Sequence, residues 1–141
     1  MKRLMVFAIS LICGIVPQLN AQAQCDDRTM TGTYVMSASG TLDGLPIAVI
    51  AKIFYDGQGK GTATETVSVG GQIFADIPAT GVFTANSDCT GSKTFTSSLG
   101  VTHYNFVITP DGSKITWIET DTGATLNGTA VRFRDEQRVH E

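Results

Sequence analysis

The chain has 141 residues, of which 42% are hydrophobic and 16% are charged, with 13 acidic and 10 basic residues. This length suits one domain. Basic residues cluster only near the C-terminus, at Arg132, Arg134 and Arg138. Nucleic acids and anionic membrane surfaces both attract basic proteins. The composition therefore argues against either of them as a partner.

The first 23 residues have the pattern of a secretory signal peptide. "MKR" is basic, residues 4–16 form an apolar run, and Ala21 and Ala23 supply the small residues of a cleavage site before Gln24. The apolar run is too short to span a bilayer as a helix. We expect a secreted or periplasmic mature chain, residues 24–141, with no membrane contact after cleavage and eight basic residues against 13 acidic ones.

Two cysteines remain in this mature chain, because Cys13 lies within the predicted signal peptide. Cys25 is near the mature N-terminus, and Cys89 lies in the turn-forming stretch "NSDCTGS", residues 86–92. Two cysteines in an exported protein usually pair. We therefore predict a structural Cys25–Cys89 disulfide.

Short β-prone runs separated by turn residues fill the mature chain, and none has a helical period. They cover residues 32–38, 45–55, 61–69, 72–77, 80–86, 92–98, 101–109, 114–121 and 124–133. Eight or nine strands joined by short turns predict an antiparallel meander. Closure into an up-and-down β-barrel of about eight strands would remove the exposed edges, and a two-sheet β-sandwich is the alternative. We expect the barrel domain to span residues 24–134 and the charged residues 135–141 to form a frayed tail.

The turn "DGQGK" predicts the register of the second and third strands. Pairing Tyr55 with Gly61 places Ala51 opposite Glu65. Glu65 would then be a carboxylate on an otherwise apolar inner face, where an unpaired charge is costly. This makes Glu65 a candidate functional residue, although a register change of one residue would return it to solvent.

The turn "PDG" predicts the register of the strands that follow. Pairing Thr109 with Ser113 places Asn105 opposite Trp117 and His103 opposite Glu119, and the next turn places Trp117 opposite Gly128. One predicted face then carries His103, Asn105, Trp117 and Glu119, and the other carries Tyr104, Phe106, Ile118 and Phe133.

The residues leave open which of these two faces lines the interior. With Trp117 inside, a few polar groups would face an apolar cavity, as in small-molecule sites. The apolar outer face would then suit packing between subunits of a homo-oligomer. With Tyr104 inside, the core would be ordinary, and His103 and Glu119 would form a solvated pair of little energetic value.

Two familiar kinds of site are not supported by the sequence. Gly57, Gly59 and Gly61 precede a predicted strand, whereas a phosphate-binding loop precedes a helix. The histidines are His103 and His140, and both mature cysteines are assigned to the disulfide, which leaves little to bind zinc. We therefore expect no metal and no cofactor.

Four stretches, "GTY", "YDGQG", "TGVFTANSDCTGS" and "TDTGATLNGTAVR", resemble a group of small secreted bacterial proteins that share a "DCTG" turn. The resemblance runs over most of the mature chain and implies a β-barrel, but it implies no activity. More loosely, the pattern resembles calycin-type barrels, such as the lipocalins and avidins, and allene-oxide-cyclase-type barrels. These looser likenesses concern the fold alone.

Three functions are compatible with this pattern. The first is binding of a small apolar molecule, with ligand-binding residues Trp117, Asn105, Tyr34, Phe83 and Phe95. The second is a cyclase or isomerase that holds its substrate away from water, with Glu65, His103 or Glu119 as catalytic acid or base. The third is a structural or adhesive surface protein with a filled interior.

Overall fold

The computed structural model describes residues 24–134, so the predicted signal peptide and charged tail lie outside the described residues. A 3₁₀ turn, Asp27–Thr29, precedes eight strands. These are β1 Thr31–Leu42, β2 Leu45–Asp56, β3 Lys60–Val69, β4 Gln72–Ala85, β5 Thr90–Ser97, β6 Gly100–Ile108, β7 Lys114–Glu119 and β8 Asn127–Arg132. Each strand pairs antiparallel with the next, and β8 pairs with β1 to close the barrel. This confirms the predicted all-β, up-and-down barrel over the sandwich.

Alternation of apolar and polar residues forms the barrel wall. In β2 the buried positions recur at every second residue, Ile47, Val49, Ala51, Ile53 and Tyr55. Side chains of a strand point alternately to its two faces, so this pattern places one face of β2 in the core. The predicted register of β2 and β3 is confirmed, because Ala51 pairs with Glu65.

Strand β4 is one continuous strand, whereas the sequence pattern predicted two shorter strands that stop before and after Pro78. Pro78 pairs with Thr64 inside the ladder. A β-bulge precedes it, where the pairing shifts between Glu65 and Val67 and Asp76 has a positive φ of 53°. Bulges accommodate an extra residue without ending the strand, so the turn-like residues here bend β4 instead of interrupting it.

The predicted register of β6 and β7 is wrong by one residue. Phe106 pairs with Trp117, and Tyr104 pairs with Glu119. The backbone N–H of Thr109 donates to the carbonyl of Lys114 at 2.9 Å, so the turn is one residue longer than predicted. Neither predicted face is therefore observed. The inner face takes Tyr104, Phe106 and Ile108 from one predicted face and Ile115, Trp117 and Glu119 from the other. The predicted pairing of Trp117 with Gly128 is confirmed.

One end of the barrel is closed by the segment that precedes β1. The side chain of Met30 is fully buried there. The Tyr34 hydroxyl donates to the carbonyl of Gly112 at 2.6 Å and accepts from Arg132 Nη2 at 3.0 Å. The same guanidinium nitrogen donates to the carbonyl of Thr29 at 2.8 Å. Arg132 thus joins the closing segment to the end of β8.

A disulfide fixes this closure to the turn between β4 and β5. Cys25 and Cys89 are bonded, with their Cα atoms 4.9 Å apart, as predicted. The backbone N–H of Ala85 also donates to the Asp27 carboxylate at 2.7 Å. The cysteine in "NSDCTGS" therefore holds the segment that closes this end of the barrel in place.

Candidate functional site

The opposite end of the barrel opens into a cavity of about 370 Å³. Its mouth lies among the turns β1–β2, β3–β4 and β5–β6. Leu45 and Leu99 lie at this mouth with exposed fractions of 52% and 48%. The walls are mainly apolar and include Met36, Ile47, Val49, Val67, Ala79 and Leu126. The fold thus has one sealed end and one apolar opening.

Glu65 lies on the cavity wall beside the β-bulge of β4. Burial raises the pKa of its carboxyl, and the nearby Ser97 hydroxyl partly opposes this shift. A carboxyl group that loses water favours its neutral form. In its protonated form, Glu65 can donate as well as accept a hydrogen bond within the cavity.

Glu119 is a second carboxyl group on the same wall, with an exposed fraction of 8%. Burial raises its pKa, and the charge of Asp121 raises it further. The Glu119 backbone pairs with Tyr104, whose pKa is raised by burial and also by the charges of Glu119 and Glu65. The two acids and the tyrosine therefore share one electrostatic environment.

Tyr104 and Trp117 form the aromatic part of the wall. Their rings meet edge to face with centroids 4.9 Å apart. The Trp117 indole Nε1–H is buried and has no hydrogen-bond partner among the described residues. Leaving a buried donor unpaired is unfavourable, so this N–H is a polar group that the described residues leave unsatisfied.

Beneath the floor of the cavity lies a residue that the sequence analysis missed. Lys93 is 3% exposed, and its Nζ donates to the Tyr55 hydroxyl at 3.3 Å. The Nζ also lies 4.9 Å from the Trp117 ring centroid, 5.1 Å from that of Tyr104 and 5.8 Å from that of Phe95. Burial lowers the pKa of Lys93 to about 7.

A signal for Lys93 was present in the sequence. Phe95 was predicted to line the ligand site, and residues two apart on a strand share a face. An inward Phe95 therefore places Lys93 inward as well. Because lysines are usually exposed, an inward-facing Lys93 was not predicted.

The structure places the predicted site residues in three groups. Trp117, Phe95, Glu65 and Glu119 line the cavity. Tyr34 and Phe83 are buried but do not line it, and both contact Tyr55 edge to face. His103 and Asn105 are exposed on the outer face.

His103 is paired with Asp121, not with Glu119 as the predicted register required. The imidazole Nδ1 lies 2.8 Å from the Asp121 carboxylate, which also accepts from the His103 backbone N–H at 2.8 Å. The one-residue register difference explains the change, because it turns His103 outward while Glu119 remains inside. His103 therefore has no contact with the cavity.

Neither a metal cluster nor a membrane-spanning helix is found within residues 24–134. No group of three or more histidine, cysteine, aspartate or glutamate side chains there could hold a metal ion. None of the helices in that range is long and apolar enough to cross a membrane.

Comparison with known proteins adds no family to this description. No protein-family model matches the chain, and no curated protein matches its sequence. The barrel that the resemblance implied is present, whereas kinship with the small secreted bacterial proteins stays a prediction.

Proposed function

We propose that this protein binds a small, largely apolar molecule in the open end of its barrel. The observation that carries the proposal is the 370 Å³ cavity with its apolar walls and exposed leucines at the mouth. Small-molecule sites are typically concave and apolar, with a few polar groups that orient the ligand. A structural or adhesive protein would instead be expected to fill its interior.

The polar groups in the cavity indicate the kind of ligand. Trp117 lines the cavity and carries a buried, unpaired N–H donor, and the raised pKa values of Glu65 and Glu119 allow each to donate when protonated. The ligand that fits best is therefore apolar over most of its surface and carries at least one oxygen that accepts a hydrogen bond. An anionic ligand fits less well, since ionised Glu65 and Glu119 would repel it.

The predicted export to the periplasm or the exterior places such binding outside the cytoplasm. The support is the signal-like pattern of residues 1–23 together with the disulfide, which persists in oxidising compartments. A homo-oligomer also stays a prediction. It is supported by exposed apolar side chains on neighbouring strands β8, β1 and β2, namely Val35, Ile50, Phe54 and Val131.

Fluorescence tests ligand binding directly, because Trp117 is the one tryptophan of the chain. Titration with N-phenylnaphthylamine, an uncharged apolar fluorophore, should quench Trp117 emission in a saturable way. Phenylalanine at both Val49 and Val67, which pair on the cavity wall, should abolish the quenching by filling the cavity. Phenylalanine at Ile50 and Thr66, the adjacent pair on the outer face, is the matched control. Flat titrations, or equal quenching in both double variants, would contradict the proposal.

Acid–base catalysis is a second candidate, favoured by two carboxyl groups with raised pKa values in one cavity. A raised pKa brings a carboxyl group closer to the range in which it can both give and take a proton during catalysis. The Glu65→Gln variant should then bind ligand but lose turnover, as judged by mass spectrometry of an apolar extract incubated with each protein. Unchanged extracts with the wild type would favour a binding protein alone.

A further inference from the structure

We propose that Lys93 is a reactive amine, which forms an imine with an apolar aldehyde that enters the cavity. The proposal rests on the proposed function, since the cavity must first bind the apolar part of the ligand. It names the substrate class as an aldehyde with a hydrocarbon tail. The contacts of Lys93 carry the inference.

Lys93 has no ionic role in the described part of the chain. No carboxylate within residues 24–134 lies within 4.0 Å of its Nζ. Its polar contact is the neutral Tyr55 hydroxyl. A buried lysine without a counter-ion favours the uncharged amine, and its lowered pKa of about 7 agrees. Uncharged lysine is the nucleophilic form that attacks carbonyl carbons.

The surroundings of Lys93 connect it to the cavity. Phe95, Tyr104 and Trp117 each line the cavity and also lie within 6 Å of the Lys93 Nζ. The amine is thus beneath the cavity floor, and the rings must part for a carbonyl group to reach it. This favours an aldehyde over a ketone, because one side of an aldehyde carbon bears only hydrogen.

The chemistry balances without a further reactant. The Nζ lone pair attacks the aldehyde carbon, the carbonyl π electrons move to oxygen, and one proton passes from nitrogen to that oxygen to give a neutral carbinolamine. The second nitrogen proton then passes to the hydroxyl oxygen, which leaves as water, and the nitrogen lone pair forms the C=N bond of the imine. The Tyr55 hydroxyl, 3.3 Å from Nζ, is placed to relay these protons. Burial raises the pKa of Tyr55, which keeps the hydroxyl protonated between transfers.

Reductive trapping tests the imine. The wild type is incubated with decanal and cyanoborohydride near neutral pH, and peptide mass spectrometry measures alkylation at each lysine. Lys93 should be alkylated at least about tenfold faster than exposed Lys52, Lys60 and Lys114, because its lowered pKa of about 7 leaves much of its buried amine uncharged at that pH. The Lys93→Arg variant should lose this fast phase, whereas the matched Lys52→Arg variant should keep it.

Decanol separates failure of the imine from failure of the cavity, because it has the same tail and no electrophile. If decanol displaces N-phenylnaphthylamine but Lys93 is alkylated no faster than the exposed lysines, the imine is disproved and ligand binding stands. If decanol and the fluorophore fail to bind and Lys93 is unreactive, both proposals fail. Displacement by decanol together with fast alkylation of Lys93 supports both. The wild-type peptide comparison needs no variant, so a folding defect in Lys93→Arg would not obscure the result.

Discussion

At the scale of single residues, the most unusual group in the barrel is the buried amine of Lys93. Its folded-state pKa of about 7 lies below its ordinary value of 10.5. Between these two pH values the unfolded chain binds the proton that the folded chain has released. The free energy of unfolding that depends on Lys93 therefore increases as pH rises through this window and decreases as pH falls.

Replacing Lys93 by methionine should make the protein more stable at pH 6, where the wild type must bury a charge. The gain should be on the order of 1.4 kcal/mol for each unit of pKa displacement and should shrink towards pH 10. Urea unfolding of both proteins at pH 6, 8 and 10 measures it. A Lys93→Met variant that is less stable than the wild type at pH 6 would contradict this account of the buried amine.

Glu119 gives a pH dependence of the opposite direction. Its pKa is raised above 4.5 in the folded state, so the folded chain holds a proton that the unfolded chain has released. Stability that is present at low pH is therefore lost as pH rises through the folded pKa. The Glu119→Gln variant should match the wild type near pH 4 and exceed it in stability near pH 8. The comparison uses thermal unfolding at both pH values, and an advantage confined to pH 4 would show that Glu119 is stabilised as a carboxylate.

At the scale of strands, the space for the Phe95 ring depends on two glycines without side chains, which face each other across β3 and β4. Gly61 pairs with Gly81. A Cβ on Gly81 would lie 2.7 Å from the Thr94 carbonyl oxygen and 2.9 Å from the Phe95 ring, and one on Gly61 would lie 3.2 Å from that ring. Small residues are thus needed where the aromatic ring of β5 crosses its neighbours.

The Gly81→Ala variant should be destabilised by about 1–3 kcal/mol, the usual cost of overpacking a core. It should also weaken fluorophore binding, because Phe95 forms part of the cavity wall. The control is Thr80→Ala, one residue away and exposed. Equal unfolding midpoints in urea for the two variants would show that Phe95 and the Thr94 backbone can move without cost.

The limits of the sequence-based predictions are visible at this same scale. Strand β2 and its pairing with β3 were predictable because alternation and a short turn agree, which also placed Glu65 on the inner face. The β6–β7 register was not, since both faces of β6 carry apolar residues and the pattern could not reveal a turn lengthened by one residue. The bulge in β4 was missed because Asp76 and Pro78 resemble the end of a strand.

The candidate site was predictable only in part, for a related reason. Trp117, Phe95, Glu65 and Glu119 were proposed and do line the cavity. Tyr34 was also proposed, but its position along β1 places it at the closed end. The position of a residue along the barrel axis depends on the stagger between strands. The alternation of apolar and polar side chains does not reveal this stagger.

At the scale of the whole molecule, the barrel is sealed at one end and hollow at the other. The disulfide belongs to the sealed end and spans 64 residues of sequence. Reduction should therefore lower the free energy of unfolding by about 2–4 kcal/mol, mainly through greater freedom of the unfolded chain. Urea unfolding with and without a reducing agent measures this loss. A Cys25→Ser/Cys89→Ser double variant should not respond to the reductant, and an unresponsive wild type would argue against the bond.

Ligand binding in the hollow end is tested most directly by the Trp117 indole N–H, because one indole resonance reports on the cavity in a proton–nitrogen NMR spectrum. Its donor has no partner among the described residues, so an oxygen-bearing apolar ligand should supply one. Titration with decanol should move the indole resonance in a saturable way and leave the backbone resonance of outward-facing Asn105 unchanged. An indole resonance that stays fixed at saturating decanol, or that shifts no more than Asn105, would contradict a ligand-binding barrel.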